Sequence, residues 1–372
     1  MKKIVFIMNN FLIGGTEKFL YNLIKNFNKD EFQITIASIW GSGPLEKDFQ
    51  ALGLPIYFAG PRGTLSNIFA KIFSVFGTMF RLVVFLKKNK PEIVITSLYQ
   101  SDILGIFSAR LVGVKKRIFI QHDVKRLNIF IRIIKRFFAI NLATKIIANS
   151  NTTKEFLISF FRAPESKISV IHNGVSAAEM KRGAREPAEG SIVFGVIGRL
   201  EPVKGHIYFL EAMKILKEEG LEPQALVIGD GELREQLERF TEKNGLENIQ
   251  FTGMAEDVPA KLKLIDILVV PSLSEGFGLV ALEGLFSEKV VLASDLPAIR
   301  EFIKHNDNGF LFEPGNAKEL ALILKTLTAD YNFLLSAQAR TKKWLETTGQ
   351  KFDITNVALC YEEMIRILYS KK

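Results

Sequence analysis

Two glutamates eight positions apart mark a stretch that could bind a ligand. Glu275 and Glu283 lie in SLSEGFGLVALEG, residues 272–284, directly after the apolar run DILVV. Ionised carboxylates only accept hydrogen bonds, so they suit ligands that present hydroxyl groups, such as a sugar or a ribose. The apolar residues around Glu283 argue against a solvated helix face, because a buried acid needs partners. The alternative is that Glu275 is an ordinary loop acid and Glu283 a surface acid of a helix.

The residues between the two glutamates predict a loop and then a helix. PSLSEGFG, which contains Gly276 and Phe277, has the composition of a loop, and we expect a helix to begin near Leu279. Free backbone amides at a helix start attract anions, so those of Gly278, Leu279 and Val280 could bind a phosphate.

A second loop, GRLEPVKGH, combines a glycine turn with two cations. Arg199 and Lys204 lie five positions apart after the apolar run SIVFGVI. Arginine can hold two oxygens at once and lysine acts as a point charge, which suits a diphosphate. The alternative is a solvated loop with ordinary surface charges.

A third loop, NNFLIGGTEKFL, follows the first apolar run. Gly14 and Gly15 would let a phosphate approach the backbone, and Thr16 is expected to cap the following helix. The six-position glycine fingerprint of dinucleotide-binding folds is absent. A tight strand-to-helix turn is the alternative for this loop.

These loops all follow runs typical of buried parallel strands. Val- and Ile-rich runs alternate with amphipathic stretches such as GHIYFLEAMKILKEEG, and this alternation occurs twice along the 372 residues. It predicts an α/β protein of two doubly wound, Rossmann-like domains that face a central cleft, with ligands at the carboxyl ends of the strands. We expect domains over 1–175 and 191–350, a linker over 176–190, and a C-terminal helix over 351–372 that packs back on one of them. The runs are KIVFIM, QITIAS, EIVITS, RIFIQ, KIIANS, ISVI, SIVFGVIG, ALVIGD, IQFTG, DILVVPS, VVLASD and GFLFEP.

The charge is divided unevenly between the halves. Residues 1–175 carry 25 Lys and Arg against 10 Asp and Glu, whereas residues 176–372 carry 24 against 30. The first half is therefore expected to face something anionic. A single cysteine excludes an internal disulfide and fits a reducing compartment. The start of the chain lacks a cleavage site for a signal peptide and is interpreted as a first strand.

Taken together, these motifs resemble glycosyltransferase family 4. EGFGLVALE after a strand that ends in PS, GGTEK, GRLEPVKG, VIHNGV, IQFTGMAEDV and NGFLFEPGN match that family in place and order over nearly the whole chain. The resemblance implies the two-domain GT-B fold and transfer of a sugar from a nucleotide sugar with retention of the anomeric configuration. We expect the donor to be a UDP-sugar.

The resemblance also implies a role for individual residues. Arg199 and Lys204 would neutralise the diphosphate, Glu275 would bind hydroxyls of the donor sugar, and Glu283 would bind the ribose. The main chain at Met254 and Ala255 would meet the base. Gly15 would admit the donor phosphates, and His122 would lie near the reacting sugar; its alternative is a structural histidine at a strand end.

Metal chemistry is not expected at this site. The chain contains no Asp-x-Asp motif, so a metal-bound diphosphate has no obvious ligands, and the cationic loop would do the metal's work. A front-face reaction, in which the leaving phosphate takes the acceptor's proton, is implied by the family. The sequence does not separate it from a double displacement.

The run KKRIFIQHDVKRLNIFIRIIKRFF, residues 115–138, suggests where an acceptor is met. It has eight basic residues and one acid among Ile and Phe, which fits an amphipathic helix on an anionic lipid surface. A helix packed on the sheet with a solvated basic face is the alternative. The apolar run over 67–90 is too interrupted by charge for a membrane span, and no nucleic-acid-binding motif is present. The residues expected at the lipid surface are Lys125, Arg126, Arg132, Lys135 and Arg136.

These observations predict a glycosyltransferase that extends a lipid-linked or cell-envelope polysaccharide at the cytoplasmic face of a bacterial membrane. A nucleotide-sugar hydrolase or epimerase on the same fold, or a non-catalytic carbohydrate-binding protein, are the alternatives.

Overall fold

The chain forms two compact units. A computed structural model describes residues 1–61 and 68–370, and the side chains of all of these except 68–73. Unit 1 is Met1–Asn173 together with Ile354–Lys372, and unit 2 is Gly174–Asp353.

The described residues of unit 1 form a seven-stranded parallel sheet in the order β3-β2-β1-β4-β5-β6-β7. Its central strands are buried on both faces, which explains their near-continuous Val and Ile. The strands are β1 (Lys2–Met8), β2 (Phe32–Ser38), β3 (Ile56–Phe58), β4 (Ile93–Ser97), β5 (Lys116–Gln121), β6 (Lys145–Ala148) and β7 (Ile168–Val170).

Helices connect these strands. A π-helical turn, Arg136–Ile140, continues the fifth helix without a break. The helices up to residue 173 are α1 (Gly15–Lys25), α2 (Glu46–Ala51), α3 (Ile68–Asn89), α4 (Tyr99–Leu111), α5 (Ile129–Lys135) and α6 (Asn151–Ser159).

Unit 2 repeats the plan with six parallel strands in the order β10-β9-β8-β11-β12-β13. They are β8 (Val193–Ile197), β9 (Gln224–Ile228), β10 (Ile249–Phe251), β11 (Ile267–Val270), β12 (Val290–Ser294) and β13 (Phe310–Phe312). The helices of unit 2 are α7 (Ala177–Met180), α8 (His206–Glu218), α9 (Arg234–Lys243), α10 (Val258–Leu262), α11 (Leu279–Phe286), α12 (Pro297–Arg300), α13 (Ala317–Ala329) and α14 (Tyr331–Glu346).

The last helix, α15 (Ile354–Ser370), belongs to unit 1, where it packs against α1. Tyr361 is fully buried in this contact. The buried carboxylate of Glu362 accepts a hydrogen bond of 2.6 Å from the backbone N–H of Asn28, and Arg366 pairs with Glu31 at 2.6 Å. Apolar packing, one hydrogen bond and one ion pair therefore hold the C-terminal helix on unit 1.

The segment expected to be a linker, 176–190, is packed onto unit 2 and is not a free connector. Met180 is buried, and its carbonyl accepts a hydrogen bond of 2.9 Å from Ser287 Oγ. Arg185 holds both carboxylate oxygens of Asp266 at 2.7 Å. The polar composition that suggested a linker thus reflects charged contacts with the amino-terminal edge of the sheet.

The two-domain parallel-sheet architecture and all twelve expected strands are confirmed. The strand that the sequence does not reveal is β3, because three residues in PIYF are too few to show a pattern. Within 1–61 and 68–370, no helix has both the length and the apolar character to cross a membrane; Asn67, in the apolar run considered for a span, lies outside the described residues.

Candidate functional site

The loops after β8 and β11 meet where the strand order of unit 2 reverses. The chain moves outward from β8 to β9 on one side and from β11 to β12 on the other, while β8 and β11 are hydrogen-bonded neighbours. Such a reversal is the place where doubly wound sheets bind ligands. Lys204 from the first loop and Glu275 from the second form an ion pair here, with Nζ and Oε1 2.7 Å apart.

Glu275 is held by a second contact on its own loop. The hydroxyl of Ser272, which is buried, donates a hydrogen bond of 2.7 Å to the same Oε1 that meets Lys204. The side chain of Glu275 is largely buried, at 11% exposure. The carboxylate is therefore fixed in position by the protein before any ligand arrives.

The backbones of the two loops also approach each other closely at Gly205. This residue has φ +67°, and a Cβ on it would lie 1.9 Å from the carbonyl oxygen of Pro271. Leu273 N–H donates to the carbonyl of Val203 at 2.8 Å beside it. Only glycine has both the conformation and the space that this approach requires.

Arg199 lies on the β8 loop and extends into solvent. Its guanidinium contacts Glu201 at 2.6 Å, and the side chain is 72% exposed. The backbone next to it is fixed, because Leu200 N–H donates to the carbonyl of Asp230 at 2.9 Å. The two predicted cations of this loop therefore differ: Lys204 is partly buried and paired across the loops, whereas Arg199 is accessible.

The helix predicted to begin near Leu279 does so. Gly278 is the N-cap residue of α11, with φ +96°, and it has no side chain that could cap the helix. Glu283 lies one turn into the helix and is partly buried, as expected. Phe277 is buried against Phe302 and Phe352, so only its main chain can meet a ligand.

The remaining predicted residues of unit 2 lie on the same edge of the sheet. Met254 and Ala255 follow β10, and the Met254 side chain is exposed. Gly276 is buried between Glu275 and Phe277. The carboxyl ends of β8, β10 and β11 thus carry all the predicted donor-site residues of this unit.

In unit 1 the glycine loop lies at the corresponding reversal, between β1 and β4. The helix begins at Gly15, with Gly14 in the cap position and no side-chain cap. The expectation that Thr16 caps the helix is wrong, since Thr16 is already inside it. The side-chain oxygen of Asn9, directly after β1, accepts a hydrogen bond of 3.0 Å from the N–H of Ser101 in the first turn of α4.

His122 lies directly after β5, in the same unit. Both ring nitrogens are buried, and neither has a hydrogen-bond partner within the described residues. The ring packs edge-on against Phe19, with centroids 5.6 Å apart. Burial, with a smaller contribution from Lys135, lowers the pKa of His122 to about 3, so the imidazole is neutral near pH 7.

The residues expected at a lipid surface divide into two groups. Lys125, Arg126 and Arg136 are exposed, and Arg132 is half-buried with its guanidinium 5.2 Å from the ring centroid of Phe160. Lys135 does not belong with them: it is buried and pairs with Asp102 at 3.1 Å. The prediction for Lys135 is wrong because α5 turns this side chain toward the sheet.

Curated relatives decide the family. Residues 13–179 match the model of Glycosyltransferase Family 4, and residues 178–344 match that of Glycosyl transferases group 1. The chain is 31% identical, over 68% of its own length and 70% of the relative's, to the Escherichia coli UDP-Gal:alpha-D-GlcNAc-diphosphoundecaprenol alpha-1,3-galactosyltransferase. The chain belongs to glycosyltransferase family 4.

A further relative and a solved structure agree with this assignment. The capsular polysaccharide biosynthesis glycosyltransferase CapM of Staphylococcus aureus is 24% identical, over 70% of this chain and 73% of CapM. The Anabaena HepE structure with UDP and glucose superposes with a TM-score of 0.82 at 20% identity, covering 98% of this chain and 100% of HepE. The glycosyltransferase therefore has the GT-B fold.

One further residue of the candidate site is not apparent from the sequence. His206 begins α8, directly after Gly205, and is buried with no hydrogen-bond partner for either ring nitrogen in the part of the chain that the structure describes. A Cβ on Gly198 would lie 3.7 Å from its Cε1, so the ring lies beneath the β8 loop. Burial and then the charge of Lys204 lower the pKa of His206 to about 4. Its place in GRLEPVKGH is the signal that could have suggested it.

Proposed function

We propose that this family 4 glycosyltransferase is a retaining enzyme that moves a sugar from a UDP-sugar to a lipid-linked or cell-envelope polysaccharide acceptor. The observation that carries the proposal is the Lys204–Glu275 contact where the β8 and β11 loops meet. A cation for phosphate and an acceptor for hydroxyls lie side by side there, as a nucleoside diphosphate sugar requires.

The chemistry follows from the charge that the leaving group gains. A departing nucleoside diphosphate becomes more negative, and a preorganised cation stabilises that charge in the transition state. Lys204 and the accessible Arg199 would supply this on one side, and the amides at the start of α11 on the other. The family resemblance implies that His122 acts near the reacting sugar, and its imidazole is neutral near pH 7.

Exchange of partners would couple donor binding to the two loops. A diphosphate competes with Glu275 for the ammonium of Lys204, because both are anions. The hydroxyl of Ser272 keeps Glu275 in place at 2.7 Å when Lys204 leaves. The freed lone pairs of the carboxylate then accept hydrogen bonds from the donor sugar, so one event prepares both subsites.

The names of relatives support the choice of donor and acceptor. The E. coli relative is a UDP-Gal-dependent enzyme that acts on a diphosphoundecaprenol-linked sugar, and CapM belongs to capsular polysaccharide biosynthesis. HepE is solved with UDP and with UDP-glucose. A UDP-sugar and an envelope glycan are therefore the first pair to test.

Exposed apolar side chains in unit 1 support a lipid surface as the place of reaction. Phe130 and Phe137 are 71% and 65% exposed, with Ile129 and Ile133 on the same helical face and basic residues beside them. Membranes with anionic lipids attract this combination, each Lys or Arg contributing about 1 kcal/mol. We therefore place the enzyme peripherally on the cytoplasmic face of the cell membrane.

The test combines binding with products. A thermal-shift screen of nucleotide sugars against the whole chain should select a UDP-sugar, and incubation with that labelled donor and a lipid-linked glycan should give a lipid-soluble labelled product with the donor's anomeric configuration. Release of free sugar in the presence of the acceptor would indicate a hydrolase, and a rearranged nucleotide sugar would indicate an epimerase. Binding without turnover would favour a carbohydrate-binding protein.

A further inference from the structure

A buried ion pair in unit 1 lies next to the strand end that carries His122. Lys135 on α5 and Asp102 on α4 are 3.1 Å apart, and their side chains are 3% and 1% exposed. Thr96 on β4 donates to Asp102 Oδ1 at 2.8 Å. Lys135 Nζ also donates to the side-chain oxygen of Gln121, the last residue of β5, at 2.7 Å. Residues from α4, α5, β4 and β5 are thus joined by this one buried ion pair and its hydrogen bonds.

A buried ion pair contributes little net free energy to the stability of a fold. Desolvation of two buried charges offsets much of their attraction, and apolar residues of similar size often serve as well or better. The presence of Lys135 and Asp102 is therefore better explained by a function that needs a fixed geometry or a fixed charge than by stability.

The pair fixes the orientation of one amide, and that amide braces the loop at His122. With its oxygen on Lys135, Gln121 must turn its Nε2 toward Asp123, where it donates to the carbonyl at 2.8 Å and to Oδ1 at 3.0 Å. Residues 121 and 123 are thereby joined around His122. From the other side, Asn149 Nδ2 donates to the carbonyl of His122 at 3.0 Å.

We propose that Lys135 and Asp102 are positioning residues for His122, and that they act through Gln121 to set the place of its imidazole. This inference rests on the proposed function, in which His122 has the role near the reacting sugar that the family resemblance implies. Lys135 acts on the ring in a second way, because its charge opposes protonation of His122. The titratable groups around this network are Tyr99 and Asp102 on α4, Asp123 in the loop, and Lys135 itself.

The test separates positioning from simple stability. Lys135→Met should lower turnover, followed as UDP release from the UDP-sugar that the screen selects, by about tenfold or more, while the KM for that donor changes less than about threefold. In a histidine 15N spectrum, assigned with His122→Gln, the His122 resonances should move and the pKa of the ring should rise. Lys87→Met, an exposed lysine at the end of α3, is the matched control and should leave both readings unchanged.

Two further variants keep the test decisive when Lys135→Met leaves Asp102 unpaired and fails to fold. Asp102→Leu with Lys135→Met replaces the pair by apolar residues, and Gln121→Leu keeps the pair but removes its link to the loop. Loss of turnover with a moved His122 signature in either folded variant supports the positioning role. Parent turnover and parent His122 resonances in both would overturn it. A parent enzyme that turns over no nucleotide sugar refutes the proposed function instead, and the His122 spectra still decide whether the pair acts on the ring.

Discussion

Lys204 Nζ and Glu275 Oε1 lie 2.7 Å apart although the two residues are 71 positions apart in the chain. The contact exists because β8 and β11 are adjacent strands whose connections leave in opposite directions. Each residue taken alone suits one part of a nucleotide sugar, and their contact suggests that the donor is recognised by exchange of partners. Replacing either residue should therefore disturb both subsites.

Glu275→Gln should lower transfer by about tenfold or more, because it removes a charged hydrogen bond while keeping the shape of the side chain. Arg199→Ala and Lys204→Ala should each have a similar effect, with weaker UDP binding measured by calorimetry. Lys325→Ala is the matched control, since it removes a surface ion pair with Glu219 in the same unit. Full activity of Glu275→Gln would remove that carboxylate from the donor site.

Gly205→Ala should destabilise unit 2 and weaken UDP binding together. A Cβ there would strike the carbonyl of Pro271 and force the β8 and β11 loops apart. Gly220→Ala is a close control, because Gly220 also has a positive φ, +79°, but open space around it. Alanine at Gly220 should cost only about 1 kcal/mol of backbone strain. Equal losses of melting temperature and UDP binding in the two variants would show that the close approach is unimportant.

The positions of twelve strands, the start of α11 at Leu279 and most of the donor loops can be predicted from the sequence, because they depend on local patterns. Contacts that depend on the order of the strands in the sheet cannot be predicted in this way. Lys204 and Glu275 were both expected in the site, but nothing local indicates that they touch. Lys135 looked like one more cation of a basic run, because its partner Asp102 lies on another helix. The burial of His206 likewise depends on the fold of the Gly198 loop above it.

Two buried histidines should make the protein sensitive to mild acid. The folded-state pKa values of His206 and His122 are lowered to about 4 and about 3, against an unfolded value near 6.5. The unfolded chain therefore takes up protons first, so the stability they contribute is complete above about pH 6.5 and is lost as the pH falls toward those values. Burial raises the pKa of Asp102 to about 6, which acts in the opposite direction between about pH 6 and 4.

The net expectation is a melting temperature that falls between about pH 7 and 5, since two histidines outweigh one aspartate. Scanning calorimetry at a series of pH values measures it. His206→Gln should flatten the slope by removing one of the two groups. The assignment of His206 is contradicted when that variant and the parent have the same slope.

Transfer should persist in excess chelator. The prediction rests on the two cations of the β8 loop and on the missing Asp-x-Asp motif; among residues 1–61 and 68–370, no three His, Cys, Asp or Glu side chains are grouped to hold a metal ion. The measurement compares product formation with and without EDTA. Activity that disappears with EDTA and returns with Mg²⁺ or Mn²⁺ would assign the diphosphate to a metal instead.

The exposed face of α5 and the turn that follows it should bind anionic membranes. Insertion of Phe130 and Phe137 supplies the apolar contribution, and Lys125, Arg126 and Arg136 supply the attraction. A second stripe on α3, Phe76, Phe80 and Val84, is also exposed in unit 1, with no acidic residue on that helix.

In liposome flotation, the protein should rise with anionic vesicles at low salt and be released as salt screens the charges. Neutral vesicles should hold it weakly.

Two sets of substitutions distinguish this surface from a basic face that only meets water. Glutamine at Lys125, Arg126, Arg132 and Arg136, or serine at Phe130 and Phe137, should abolish flotation while UDP binding is retained, because unit 2 is unchanged. Lys135 stays as it is, since its replacement would open the buried pair with Asp102. The control replaces three exposed lysines of unit 2, Lys243, Lys263 and Lys343, by glutamine and should float like the parent. Flotation that survives both sets of substitutions would mean that another surface binds the membrane. A parent that never floats would mean that the acceptor is met away from a lipid surface.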